Sequence, residues 1–434
     1  MLNVIRQRAG SRRAVLALAR TTAQVFFARL FGQAAGFLTA VLVARALGPE
    51  GFGIYSLALI GATLLAQLPG PGADMSAVRV SARYRAHDPD RAREALLVAA
   101  LAKAAVSLAL ALAGAALAEP LAATFLAHPQ GATALRYAAL SAGAIGMTEY
   151  MLATLQAGEQ FGRMLFVSLA TAALKLVPVA LLWAAGTLTL DNALALFVAA
   201  AYAGLLLSVL VSWHMWAGAI RHGREALREL LAFSRWLIAA MLLGALTCNL
   251  DVLALTYLAG AAPAGLYNAG RTLTLPLAFA GGALGAVLLP RLSAHTDRTG
   301  LAGAVWQITL YIAAVAAVVV AGLAMFAPLI LRVVYGASYG DAVAIFQILM
   351  LAYALQLITW PALTMQMVLD RPDVVAWVIG AVLGLTAAGY LLIVPIAGTL
   401  GAAWVFLAGA SVQLVAYLFL CGTLDFRCVR FFRA

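Results

Sequence analysis

Charge is what this 434-residue chain has least of. Asp, Glu, Lys and Arg make up 10% of it, against 65% hydrophobic residues and a mean hydropathy of +0.98. A soluble domain needs about a quarter of its residues charged to cover its surface. A water-exposed globular fold is therefore excluded, and lipid is the expected solvent. Cysteine is scarce too: Cys248, Cys421 and Cys428 have neither CxxC nor metal-ligand spacing. Two of them stand in apolar segments, where a thiol behaves as a small hydrophobe. The five histidines are scattered without an HExxH pair, and no glycine-rich P-loop occurs. No metal centre, cofactor or nucleotide hydrolysis is expected, and no catalytic residue. Asp88-Pro89-Asp90 has the DxD spacing of metal-dependent glycosyl transfer, but its short loop leaves no room for a nucleotide-binding domain and reads as solvated.

What is present is a series of Leu- and Ala-rich runs without alternation, the mark of α-helical spans and not of a β-barrel. There are twelve: six between roughly 21–46 and 189–217, and six between roughly 229–259 and 399–421. The reading is an all-α polytopic membrane protein of two six-helix lobes, residues 1–222 and 223–434. The first apolar run, about twenty-six residues, is too long for a cleaved signal and is expected to stay as an anchor. Pro69-Gly70-Pro71-Gly72 predicts a kink where the second span continues inward.

The net charge of +11 follows membrane sidedness. With the N-terminus inside, the inner segments hold nineteen arginines and the outer ones three: Arg45, Arg136 and Arg332. That asymmetry satisfies the positive-inside rule and predicts both termini in the cytoplasm. The basic excess is topological, so no nucleic-acid partner is expected.

The two halves also repeat at an offset of 212 residues. Gly48, Gly53 and Tyr55 return as Gly260, Gly265 and Tyr267; Arg79, Ser81 and Ala82 return as Arg291, Ser293 and Ala294. Ala185-Gly186-Thr187-Leu188 returns as Ala397-Gly398-Thr399-Leu400. An offset joining two six-helix units brings each position back to the same membrane side, so the repeat is parallel. Duplicated membrane proteins are commonly transporters with a site between their halves.

Ionisable groups inside spans are costly and mark function or pairing. They are Arg29, Lys103, Glu149, Lys175, Asp251 and Arg271. Asp251 and Arg271 stand at equal distances from Ala261 in the seventh-to-eighth turn, so a hairpin brings them to one depth. One reading is an ion pair; the other is Asp251 as a protonatable or cation-binding group. Arg29 and Glu149 lie at similar depth and can offset each other, leaving Lys103 and Lys175 as a surplus of two positive charges in the first half. The repeat does not copy these three cations, whose counterparts are Met241, Val315 and Ala387. The surplus favours an anionic ligand in a low-dielectric cleft. The uncharged polar groups Gln33, Asn249, Asn268, Gln307, Gln347, Gln356 and Gln366 are expected to bond between helices. Gly32 and Gly36 form a GxxxG pair that predicts close packing.

Three stretches carry a family resemblance: VARALGPEGFGIYSLAL (43–59), LDVLALTYLAGAAPAGLYNAGRTLTLPLAF with VLLPRLSAH (250–295), and LILRVVYGASYGDA through IVPIAGTLGAA (329–403). They resemble the polysaccharide-biosynthesis exporters, Wzx-type flippases of lipid-linked oligosaccharides in the MATE-like MOP superfamily. The resemblance implies two lobes around a central cavity open alternately to each side of the bacterial inner membrane. It implies movement of an undecaprenyl-pyrophosphate-linked O-antigen, exopolysaccharide or capsule unit between leaflets, coupled to H+ or Na+, beside polymerase and assembly proteins. Arg29, Lys103, Lys175 and Arg271 then stand as cations for the pyrophosphate, and Asp251 and Glu149 as ion-coupling acids. The competing readings are a drug antiporter, which ought to bury more acid than base, and a membrane glycan polymerase or ligase. The latter ought to have a sizeable outer loop, whereas here those loops offer chiefly Glu50, Glu119, His128 and Asp191.

Overall fold

No water reaches the backbone in hydrocarbon, so each amide must be bonded within its own segment, as an α-helix achieves. The computed structural model describes the backbone of residues 2–68, 71–84, 87–125, 131–216, 220–293, 298–369 and 371–431, and among these no strand occurs. In chain order the helices are α1 (Leu2–Gln67), α2 (Pro71–Tyr84), α3 (Pro89–Phe125), α4 (Gly131–Ala157), α5 (Phe161–Ala184) and α6 (Leu190–Trp216). There follow α7 (Gly223–Ala259), α8 (Ala261–Ser293), α9 (Arg298–Val334), α10 (Ala342–Val368) and α11 (Pro372–Phe431).

Two of these helices are each a pair of rods joined at a glycine. α1 bends at Gly48 (φ 69°) and α11 at Gly398 (φ 55°). Gly260 (φ 96°) separates α7 from α8, and Gly186 (φ 69°) lies between α5 and α6. The left-handed turns thus pair at the 212-residue offset, Gly48 with Gly260 and Gly186 with Gly398. A side chain would cost about 1–2 kcal/mol in that backbone region, which is why the repeated sequence blocks hold glycine at these turns.

Seven helical segments among the described residues are long and apolar enough to cross a membrane, including Leu30–Gln67 and Asp373–Cys421, which each hold two rods. With α4, α7 and α8, of 27, 37 and 33 residues, the long rods among the described residues number twelve, α2 with its 14 residues being a shorter thirteenth. Many large apolar side chains face outward, among them Leu181, Leu210 and Leu392, with Ile396 88% exposed, unlike the surface of a soluble protein. Inner faces are made of small residues, such as Ala134, Ala138, Ser141 and Ala142 of α4, which let backbones approach closely. Gly32 and Gly36 do not take part: no described atom lies within 4 Å of where their Cβ would be.

The chain divides into two compact units, Met1–Leu47 with Ile54–Asn249, and Gly48–Gly53 with Leu250–Ala434. The division falls within α7 and not at the 222/223 loop expected from polarity. The reason is that the start of α7 is bound to the first unit. Leu230 is buried among Ala77, Leu96 and Tyr150. The Glu94 carboxylate accepts the backbone N–H of Arg221 at 2.7 Å and that of His222, and Arg91 meets Glu225 at 3.6 Å. Within the second unit, segment 48–53 meets the start of α8 backbone to backbone. A Cβ on Gly53 would overlap the Ala261 carbonyl oxygen, and one on Gly265 would overlap that of Pro49.

Candidate functional site

The first unit gathers four charges on four neighbouring helices. Lys103 of α3 is buried, and its Nζ donates to both carboxylate oxygens of Asp74 on α2, at 2.6 and 2.8 Å. The ammonium also stands 5.7 Å from the centre of the Tyr150 ring on α4, a cation–π arrangement. Tyr150 is fixed in turn by donating its hydroxyl to the Leu96 carbonyl at 2.5 Å. The Lys103 stem runs past Gly146 of α4, where a Cβ would sit in ordinary contact with Lys103 Cε at 3.6 Å.

Glu149 of α4 and Lys175 of α5 complete the group. Glu149 feels the charges of Lys103, Asp74 and Lys175, and Lys175 feels that of Glu149. Unlike the buried Asp74–Lys103 pair, both side chains are exposed. Neither forms a hydrogen bond or ion pair among the described residues. Lys175 sits near the middle of the 24-residue α5, so an exposed ammonium lies deep in a membrane-spanning segment. The Arg29 side chain lies outside the described residues.

This arrangement changes the charge count. Asp74 follows the Pro-Gly break and reads in sequence as part of a solvated inner loop, yet it is 5% exposed against Lys103. Counting Asp74 beside Arg29, Lys103, Lys175 and Glu149 lowers the expected surplus from two to one, and the four charges whose side chains are described sum to zero. Lys103 is an internal counter-ion to Asp74, and Lys175 is the cation presented outward. A sequence signal for Asp74 exists: Pro71–Tyr84 continues as a helix after the break, placing an acid one span-depth from Lys103.

The second unit brings Asp251 and Arg271 together. Arg271 Nε lies 3.5 Å from Asp251 Oδ2, and the Tyr267 hydroxyl donates to the same oxygen at 3.0 Å. The backbone N–H of Val252 donates to Oδ1 at 2.8 Å, and Arg271 Nε donates to the Tyr353 hydroxyl at 3.4 Å. Asp251 is 2% exposed. Removing one partner of such a pair strands a buried charge and costs about 3–5 kcal/mol. Asp251→Asn is accordingly expected to lower the yield of folded protein, measured by monodispersity after extraction. Normal insertion with transport lost would instead make Asp251 a functional group.

Uncharged polar groups are largely spent within the bundle. Gln347 donates to the Ala324 carbonyl across helices, whereas Asn249 donates to Ala245 of its own helix; Thr39, Thr148, Ser212 and Thr256 likewise bond back to the preceding turn. Where α5 starts and α6 ends, Arg163 and Gln160 bond the His214 ring at 2.7 and 2.8 Å, tying the two helices. Among the described residues no group of His, Cys, Asp and Glu is arranged to hold a metal ion.

The fold defines the class. The chain matches an inward-facing multidrug resistance MATE family transporter of the MOP superfamily with a TM-score of 0.74, at 15% identity over 92% of this chain and 96% of that one. It matches the lipid II flippase MurJ in an inward closed conformation at 0.70, with 15% identity over 92% and 87%. A MOP superfamily transporter from Pyrococcus furiosus, described by the reverse polarity of its binding pocket, matches at 0.61, with 14% identity over 94% and 95%. The architecture is therefore that of the two-lobed MOP transporters. In sequence, the model of the polysaccharide biosynthesis protein family matches residues 18–295, well over half of the chain. The chain belongs to that family. No curated protein matches it in sequence.

Proposed function

We propose that this protein moves a lipid-linked oligosaccharide, held by its prenyl-diphosphate head group, from the cytoplasmic to the periplasmic leaflet of the bacterial inner membrane by alternating access. The observation that carries the reading is Lys175, an exposed cation near the middle of a membrane-spanning helix in a member of the polysaccharide biosynthesis family. A hydrated, ionised head group cannot enter hydrocarbon unaided, because desolvating an ion costs many kcal/mol. A cation at mid-depth with low-dielectric walls lowers that cost, while a prenyl tail stays in lipid. Membrane lipids and the glycan assembly machinery are the natural partners, and an H+ or Na+ gradient the source of direction.

Support also comes from the likeness in fold to a lipid II flippase. A drug-cation exporter calls for an exposed acid without a neighbouring cation, whereas Glu149 has Lys175 and Lys103 beside it.

The test is reconstitution in proteoliposomes with labelled undecaprenyl-pyrophosphate glycan. Wild type is expected to exchange the lipid between leaflets, and Lys175→Ala to slow exchange tenfold or more, about 1.4 kcal/mol. No exchange by folded wild type sinks the flippase reading; unchanged exchange by Lys175→Ala removes Lys175 from the site.

A further inference from the structure

Lys175 carries its own counter-ion. Glu149 is the acid that Lys175 feels, both are exposed, and neither is engaged in a hydrogen bond among the described residues. The four charges whose side chains are described sum to zero before any ligand arrives. A diphosphate that takes Lys175 leaves Glu149 beside a polyanion and beside Asp74, with Lys103 already committed to both Asp74 oxygens. Two carboxylates and a diphosphate then share one low-dielectric region with two ammonium groups. Adding one positive charge lessens this negative excess, and Glu149 is the exposed acid able to receive it from water.

We infer that Glu149 takes up a proton when a diphosphate head group binds Lys175, so that head group and proton occupy the site together. The inference rests on the head-group reading above. The step is a simple protonation: the Glu149 carboxylate accepts H+ from solvent and becomes a neutral carboxyl, with no other bond made or broken. Asp74 does not serve, since it is buried and bonded twice to Lys103.

The charges around Glu149 are few. α2 presents Asp74, α3 presents Lys103 and α5 presents Lys175. Of the ionisable residues on α6, Asp191 and His214 stand near its two ends and the Tyr202 hydroxyl donates to the Leu140 carbonyl. The second rod of α1, which reaches α4 where Ala66 meets Gly146, carries Glu50, at its outer end, and the buried Tyr55. The Arg29 side chain, on the first rod, lies outside the described residues.

The experiment measures binding of inorganic pyrophosphate to the purified full chain by calorimetry, in buffers of different ionisation enthalpy and at several pH values. Wild type is compared with Glu149→Gln at each pH, which cancels the titration of pyrophosphate itself. Wild type is expected to take up close to one proton more per pyrophosphate than Glu149→Gln. Its affinity, relative to that variant, then rises toward tenfold for each unit the pH falls. Glu149→Asp, which keeps a carboxylate, is expected to retain the uptake. Equal proton counts and equal pH slopes in wild type and Glu149→Gln overturn the inference while leaving the head-group site standing. Failure of both proteins to bind pyrophosphate overturns the head-group reading, and the inference with it.

Discussion

Asp74→Asn is expected to destabilise the protein by about 3–5 kcal/mol, because it leaves the Lys103 ammonium buried without its counter-charge. Lys103 is 3% exposed and directs two N–H bonds at the carboxylate; an amide returns at most one acceptor oxygen and no charge. The Tyr150 ring, 5.7 Å away, contributes about 1–2 kcal/mol at best to a desolvated cation, too little to compensate. Lys103→Met alone strands the Asp74 carboxylate in the same way. Asp74→Asn combined with Lys103→Met leaves no buried charge, and such paired replacements are often close to neutral. Unfolding of detergent-solubilised protein is the measurement. Two large single effects with recovery in the double variant establish the coupling; additive losses would mean that each residue is held by something else.

The same residues show what a sequence can and cannot convey about this protein. Helicity, the twelve rods and the parallel repeat are legible because lipid imposes them. Long apolar runs are needed to cross hydrocarbon, and Gly48, Gly186, Gly260 and Gly398 occupy turns that L side chains resist. Lys175 stands out in the sequence as an ammonium in the middle of an apolar run, and the fold places it exposed near the middle of α5. Asp74 is only half legible: the kink at Pro69–Gly72 lets the span continue as a helix, but only the fold shows α2 setting this acid against Lys103 of α3. The unit boundary is also hidden. Residues 218–228 are polar enough to pass for a linker, but Glu94 binds the backbone at Arg221 and His222 and draws the start of α7 into the first unit. The Gly32/Gly36 pair went the other way: among the described residues no atom lies within 4 Å of where its Cβ atoms would be. GxxxG is a motif of helix contact only when a partner backbone is there to use it.

The glycines that do meet a partner are Gly53 and Gly265, and their substitution is the other change expected to have a large effect. Gly53→Ala places a methyl on the Ala261 carbonyl oxygen, and Gly265→Ala places one on that of Pro49. A side-chain clash is relieved by a rotamer change, but here both colliding atoms belong to helix backbone, so the segments themselves must part. Each substitution is expected to cost about 3 kcal/mol, the upper end for overpacking. Gly32→Ala and Gly36→Ala, with open space around them, are expected to be neutral or to stabilise by up to about 1 kcal/mol through helix propensity. The two contacts are one contact seen twice: Ala261 is the repeat counterpart of Pro49 and Gly265 that of Gly53. Each glycine therefore packs on the counterpart of the residue that its own counterpart meets, as in a two-fold arrangement. Parting the segments to admit one methyl makes room for the other, so Gly53→Ala with Gly265→Ala is expected to cost clearly less than the sum of the two. Thermal unfolding of the three variants in one detergent measures this. A strictly additive double variant would show that the two contacts open independently, and that the duplicated turns meet without acting as a unit.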